Sequence, residues 1–334
     1  MRHVGAHKVI LAAASILAVF CALPNAPASL AQSDAAATTC RVGLYLRGLH
    51  SFDPTADTFG ADLWLWSVCP TADNQPLQTM EFVNSDDVAV LLDVGDDSLW
   101  TQRNVDGTFR YDWEERNFPF DRHTLTIDLE EGVEDVHGLV YDPDTANSGV
   151  DPELQLPGGW RMTGTTLVAS TKTYDTTFGD PDLPGGGSSE YSRLTLSIDL
   201  ERTDLGGFLK LTAVVYAAFF FSLISYMMHL ETTTGIGPRV SLLAIALFST
   251  AVNLVNASDD LGTASGLTLV DKIHVMVLVY LLVAAIVTVA SRVLLDRGVE
   301  AAEIARLNCR VGAVVIISFG ALNALLIVLA VRGG

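Results

Sequence analysis

Two hydropathy patterns divide the chain. Up to about residue 203, short runs alternate apolar and polar positions with a period of two; beyond it come four long apolar stretches. Period two is the signature of a half-buried strand. Cys40 to Leu49 places Val42, Leu44 and Leu46 on one face, and Ala61 to Cys69 alternates again. The turn-rich SFDPTADTFG lies between them, so the pair predicts an antiparallel hairpin. Val88 to Leu92, Gly107 to Tyr111, Thr124 to Leu129 and Trp160 to Thr171 also have strand composition. Ser192 to Glu201 is the cleanest run: Leu194, Leu196, Ile198 and Leu200 alternate with Thr195, Ser197, Asp199 and Glu201. Turn signals at Asp106-Gly107, Pro157 to Gly159 and Pro184 to Gly187 separate these runs. Many short strands without an amphipathic helix predict an all-β sandwich of immunoglobulin-like type.

The apolar stretches 208–228, 238–257, 269–291 and 311–331 are each long enough to cross a bilayer. The second is the least apolar. Wound at about 100° per residue, it gathers Ser241, Ser249, Asn253 and Asn256 into one third of the circumference, with Ile245 among them. In lipid such a stripe needs a partner or water. Either it packs on neighbouring helices, or several copies turn it towards a shared aqueous axis. Arg292, Arg297, Arg306 and Arg310 surround the third loop, and His229, Glu231 and Arg239 the first. Asp259 and Asp260 occupy the loop between spans two and three. Positive residues inside put the N-terminal domain and the C-terminus outside.

Charge sharpens this division. The 334 residues carry a formal charge of -19. Residues up to Leu205 hold 32 acids against 12 Lys or Arg, whereas the remainder holds seven acids and eight bases. So acidic a domain does not suit nucleic acid and attracts cations instead. At the N-terminus, Arg2, His3 and Lys8 precede the apolar run Val9 to Leu23. Ser29-Leu30-Ala31 then fits a small-x-small cleavage site. A signal peptide over 1–31 is expected, followed by an exterior domain over 32–203 and a membrane domain over 204–334 of a multi-pass inner (plasma) membrane protein. Cys21 follows the bulky Phe20, a poor lipoprotein site. Cys40 and Cys69 are equidistant from Pro54-Thr55, the midpoint of the first hairpin, which predicts a disulfide in an exported domain. Cys309, in the fourth span, is expected to be a packing residue.

Several segments together resemble the pentameric ligand-gated ion channels, the Cys-loop receptor superfamily. FPFDRHTL at Phe118 to Leu125 is similar to the family's signature loop above the membrane domain. SIDLER places Arg202 just before span one, and RVSL at Arg239 to Leu242 resembles the start of a pore helix. ASGLTLVD and ARLNCRV, before spans three and four, resemble family segments too. The resemblance covers nearly the whole mature chain. Tyr111 and Leu125 stand where two cysteines usually flank the signature loop, as in the prokaryotic branch. Span one also lacks the proline many members carry, and the linker after span two lacks the usual Leu-Pro.

The resemblance implies a homopentamer in membrane lipid, with the second helices around a pore for inorganic ions. It turns Ser241, Ile245, Phe248 and Val252 to the axis; the polar stripe shares Ser241 and Ile245, then drifts to Ser249 and Asn256. Apolar rings at Ile245, Phe248 and Val252 would gate by dewetting. Gly237, Pro238 and Arg239 would form the inner mouth, and no acid there specifies charge selectivity. Asp121 and Arg202 would pair between the two domains, with Phe118, Pro119 and Phe120 wedged against the linker Ser258 to Leu267. A small-molecule ligand would bind between subunits, where Tyr174, Phe178 and Tyr191 of one meet Trp64 or Trp66 of the next; aromatic walls suit a cation. Carboxylate clusters at Asp86-Asp87, Asp96-Asp97, Glu130-Glu131, Glu134-Asp135 and Asp180/Asp182 suit Ca²⁺ as a modulator, read against a plain solvated acidic face. Crowded carboxylates also titrate together, so protons are a second candidate stimulus. No cofactor and no covalent chemistry are expected: His50, His123, His137, His229 and His274 have no metal spacing, and no nucleophile arrangement stands out. The alternative function is a non-conducting four-span sensor that signals to a cytoplasmic partner.

Overall fold

A computed structural model describes residues 36–95, 98–180, 187–228, 236–260 and 266–334. The expected signal peptide, Asp96-Asp97, Asp182, His229 and Glu231 lie outside the described residues, as do the side chains of Ser258, Asp259 and Asp260.

Among the described residues, ten strands form two sheets. They are β1 (Thr38–Asp53), β2 (Thr58–Val68), β3 (Met80–Phe82), β4 (Ser85–Val94), β5 (Trp100–Arg110), β6 (Arg122–Glu131), β7 (Leu139–Pro143), β8 (Gly149–Val150), β9 (Trp160–Tyr174) and β10 (Ser189–Arg202). The first sheet runs β4-β5-β2-β1-β7, with β8 also on β1; the second runs β3-β6-β10-β9. Neighbours are antiparallel except that β7 and β8 run parallel to β1. The period-two faces meet in one core. Val42, Leu44, Leu46, Leu63 and Leu65 of the first sheet cluster with Leu125, Ile127, Leu194, Leu196, Ile198 and Leu200 of the second.

The first hairpin is longer than its alternation suggested. Its turn narrows to the residues between Asp53 and Thr58, and Asp53 Oδ1 accepts from Thr55 N and Ala56 N at 2.9 and 3.0 Å. Arg41 faces Val68, which brings Cys40 and Cys69 together; their disulfide is present, with Cα atoms 4.4 Å apart. The bond closes a loop with a sequence separation of 29. Chain-entropy arithmetic for that length gives about 3–4 kcal/mol. The Cys40→Ser, Cys69→Ser double variant is therefore expected to lose that much stability in denaturant unfolding monitored by tryptophan fluorescence.

Asp106-Gly107, expected at a turn, lies instead inside β5 opposite Asp62 and Ala61. The glycine serves packing: a Cβ there would meet Phe109 Cζ and Val88 Cγ2 at 3.0 Å.

Four helices follow: α1 (Leu205–Met227), α2 (Gly237–Asp260), α3 (Leu269–Asp296) and α4 (Ala301–Gly333). All four are long and apolar enough to cross a membrane, which makes this a multi-pass membrane protein by length and composition. β10 enters α1 through Thr203 and Asp204 alone. Thr203 N donates to Gly159 O at 2.7 Å, and Asp204 caps the helix by accepting from Gly207 N at 2.8 Å. α3 starts with a capping box between Thr268 and Asp271. Only residues 297–300 separate α3 from α4, because α4 begins ten residues before the apolar stretch. The bundle is filled by Phe219, stacked on Phe319 at 3.6 Å, with Tyr280 edge-on to both. Residues Ala37–Gly334 form one compact unit.

Candidate functional site

Where β6, β10 and α1 converge, a charged cluster is buried under the signature loop. Arg202 Nε donates to Asp121 Oδ1 and Oδ2 at 3.0 and 2.9 Å, and its Nη2 donates to Glu115 Oε1 at 2.6 Å. The guanidinium is layered between two rings, 4.7 Å from the centroid of Phe118 and 4.3 Å from that of Trp160. His123 Nε2 donates to Asp121 Oδ2 at 2.9 Å, and the Tyr111 hydroxyl lies 3.2 Å from its Nδ1. Sequence register explains the convergence. Asp121 directly precedes β6, Arg202 ends β10, and Glu201 faces Arg122 across that ladder. The Asp121 and Arg202 partnership implied by the resemblance is thus a direct contact.

Glu115 was not singled out in the sequence. It sits in a single 3₁₀ turn, Glu115–Asn117, within DWEERN, a stretch that reads as a solvated acidic surface. Here it is 2% exposed, and its Oε2 has no partner among the described residues. Burial pushes its carboxyl up to about 7, against the attraction of Arg202 and with some help from Asp121. Burial acts on Asp121 in the same sense, but the hydrogen bond from His123 and the charge of Arg202 outweigh it and hold that carboxyl low.

The two acids therefore have opposite linkage. Glu115 has a folded value above its ordinary 4.5. The stability it contributes is full below that value and is lost as pH rises through about 7. At about 1.4 kcal/mol per pH unit, the loss is on the order of 3 kcal/mol. Asp121 acts the other way, and its contribution is lost only below its ordinary 3.8. Stability measured by thermal unfolding is expected to fall between pH 5 and 7.5 in the wild type, and Glu115→Gln is expected to flatten that slope.

The loop also seats the helices. Phe118 is buried in the helical core cluster, and Phe120 packs against it. Pro119 is buried as well. The end of α4 reaches the same loop: Arg122 Nη1 donates to Gly334 O at 3.0 Å, and a Cβ on Gly333 would lie 3.2 Å from Asn117 Nδ2. Asn117, Phe120 and Arg122 thus meet the end of α4 and the residue after it; the expected linker contact at Ser258 to Leu267 falls largely outside the described residues.

The second element of the site is the outer face of α2. Ser241, Ile245, Phe248, Val252 and Asn256 are all exposed, Ile245 at 66%, Phe248 at 72% and Val252 at 43%. The opposite face buries Leu243, Ala246, Thr250 and Ala257. Half of the polar stripe turns inward. Asn253 Nδ2 donates to Leu211 O at 2.6 Å and to His274 Nε2 at 2.8 Å, while His274 Nδ1 donates to Val270 O at 2.8 Å. This network ties α1, α2 and α3 together. Ser249 is half-buried. Gly237 and Pro238 are exposed, whereas Arg239, at the same end of α2, is 3% exposed and donates to Met228 O. Two positions along a helix lie about 200° apart, so an outward Ser241 sends Arg239 into the bundle.

The expected ligand residues occupy two separate places within one chain. Tyr174, Phe178 and Tyr191 gather around the β9–β10 connection with ring centroids 5.3, 6.1 and 6.3 Å apart. Lys172 Nζ lies 5.5 Å from the Tyr174 ring, so the trio already faces a cation from its own chain. Trp64 and Trp66 are half-buried on β2, facing away from Leu63 and Leu65. Trp66 Nε1 donates to Asp144 Oδ2 at 2.9 Å, and its ring lies where a Cβ on residue 43 would stand, which requires Gly43.

The acidic pairs are similarly committed. Glu130 binds Arg193 at 2.6 Å and accepts from Tyr174 at 2.8 Å. Glu131 accepts from Thr79 and Tyr141 at 2.7 and 2.9 Å, and Asp86 pairs with Arg110 at 2.8 Å. Asp87 is on β4 beside Asp86. These four do not converge, and no group of three or more metal-ligating side chains gathers among the described residues. Cys309, expected to pack, is exposed.

No family model matches the chain, and no curated protein matches it.

Proposed function

We propose that this chain is one subunit of a homopentameric, ligand-gated ion channel, with an immunoglobulin-like exterior sandwich and α2 as the pore helix. The observation that carries the reading is the uncovered face of α2. It runs from Ser241 through Ile245, Phe248 and Val252 to Asn256, polar at both ends and apolar between them. Around a fivefold axis those side chains become rings, wettable at the two mouths and dry at the middle, which is the arrangement of a hydrophobic gate. The buried Asp121–Arg202–Glu115 cluster supports the second half of the reading. It ties the end of the strand that reaches up to the aromatic trio to the loop whose Phe118 is buried among the helices. A stimulus at the exterior domain, a small organic ligand, protons or Ca²⁺, would shift a closed–open equilibrium through that joint.

The test is current across a planar bilayer holding the purified protein under a tenfold KCl gradient. Stepping pH and Ca²⁺ on the exterior side is expected to change the frequency of discrete unitary currents. Their reversal potential assigns charge selectivity. Silence under every step, with reconstitution verified, would favour the non-conducting sensor.

A further inference from the structure

At the end of the helical bundle farthest from the β-sheets, a cavity of about 220 Å³ lies between α1, the start of α2 and α4. Tyr226, Arg239 and Asn308 line it, and all three are more than nine-tenths buried. Their hydrogen-bonding capacity is left open. Arg239 uses Nη2 on Met228 O, while its Nε and Nη1 have no partner among the described residues. Asn308 Oδ1 accepts from Ser291 Oγ at 2.9 Å, and its Nδ2 has no partner among the described residues. The Tyr226 hydroxyl is likewise unpartnered. Buried polar groups without partners are rare and costly, and four such atoms lining one cavity call for an occupant.

The chemistry of that occupant follows from the donors. Arg239 Nε and Nη1 and Asn308 Nδ2 can only donate, and Tyr226 can donate as well. One permanent positive charge stands among them. Water would meet the donors but leave the charge without a counter-ion, whereas an oxyanion supplies lone pairs and the opposite charge together. Arg239 Nε and Nη1 lie on different edges of the guanidinium, so each offers a single N–H rather than a fork, and the phosphate group, with more acceptor oxygens than a carboxylate, suits such separate donors better.

We propose that this cavity is a binding site for a phosphate group, held by Arg239, Asn308 and Tyr226. The group would come from inorganic phosphate or from the head of an anionic phospholipid, since the site is at one end of membrane-spanning helices. The proposal does not depend on conduction.

The experiment uses the full chain, purified in detergent free of phosphate and lipid. Inorganic phosphate is titrated against chloride at matched ionic strength while the melting temperature is followed. Separately, phosphatidylglycerol or phosphatidylcholine vesicles are supplied before native mass spectrometry. A melting shift with phosphate and no preference between the lipids assigns a soluble anion. Selective retention of phosphatidylglycerol assigns a headgroup. In either case Arg239→Gln is expected to weaken binding by about tenfold or more, as befits loss of a charged donor. Tyr226→Phe guards against misfolding. It removes an unpartnered hydroxyl, so the variant without anion should melt no lower than wild type, yet its response to phosphate or phosphatidylglycerol should drop severalfold. Equal responses in the wild type and both variants, or no response in the wild type to either probe, would overturn the proposal.

Discussion

Replacing Arg202 with alanine is expected to destabilise the chain by about 3–5 kcal/mol, among the largest effects of any single substitution outside the apolar core. The magnitude follows from what is left behind. Asp121 is 2% exposed and would be left a buried carboxylate without its guanidinium, and Glu115, equally buried and already pushed up to about 7, would lose the charge that favours its ionised form. The layered contact with Phe118 and Trp160 would go as well. Arg202→Lys is expected to recover only part of the loss, because an ammonium cannot fork between two carboxylates while stacking on two rings. Thermal unfolding of the purified protein at pH 7 measures both. Adding Asp121→Asn and Glu115→Gln to Arg202→Ala should restore much of the stability. If the single variant melts like wild type, the cluster is not what holds the two parts together.

Phe248→Ala carries the largest functional effect. On the proposed reading, five copies of the most exposed large side chain on the outer face of α2 close the middle of the pore. Truncating them widens and wets that level. A standing current without stimulus is expected, with an open fraction raised by at least about tenfold, since about 1.4 kcal/mol of lost closed-state contact suffices for that factor. Leu243→Ala, on the buried face, makes the matched control: it should lower the melting temperature without producing a leak. Leak from the second variant and none from the first would place the pore elsewhere.

Much of the architecture was legible because simple periods carry it. Leu194 to Leu200 alternate strictly, and a strand so patterned has one register that buries them. The cysteine pair was legible for the same reason, as hairpin symmetry fixes which positions face each other. β3, β7 and β8 were not, since two to five residues are too few to show a period. Asp106-Gly107 misled because a glycine that makes room for Phe109 looks the same in sequence as one that makes a turn. At the candidate site, Asp121 and Arg202 stood out through the segments around them. Glu115 did not, because only the fold shows that it is taken out of water. Arg239 and Asn253 were readable in principle: angular position relative to the buried Leu243, Ala246 and Thr250 puts both on the packing side.

The two-residue passage from β10 into α1 has a mechanical meaning. Thr203 is tied back to Gly159 and Asp204 to the first turn of the helix, so the joint has no slack. On the proposed reading, strand and helix would act as one stiff rod with Arg202 as a pin near its middle: a displacement near Tyr191 would arrive at the bundle as displacement rather than being dissipated in a loop, and the thrust would pass first to the helices that lean on α1.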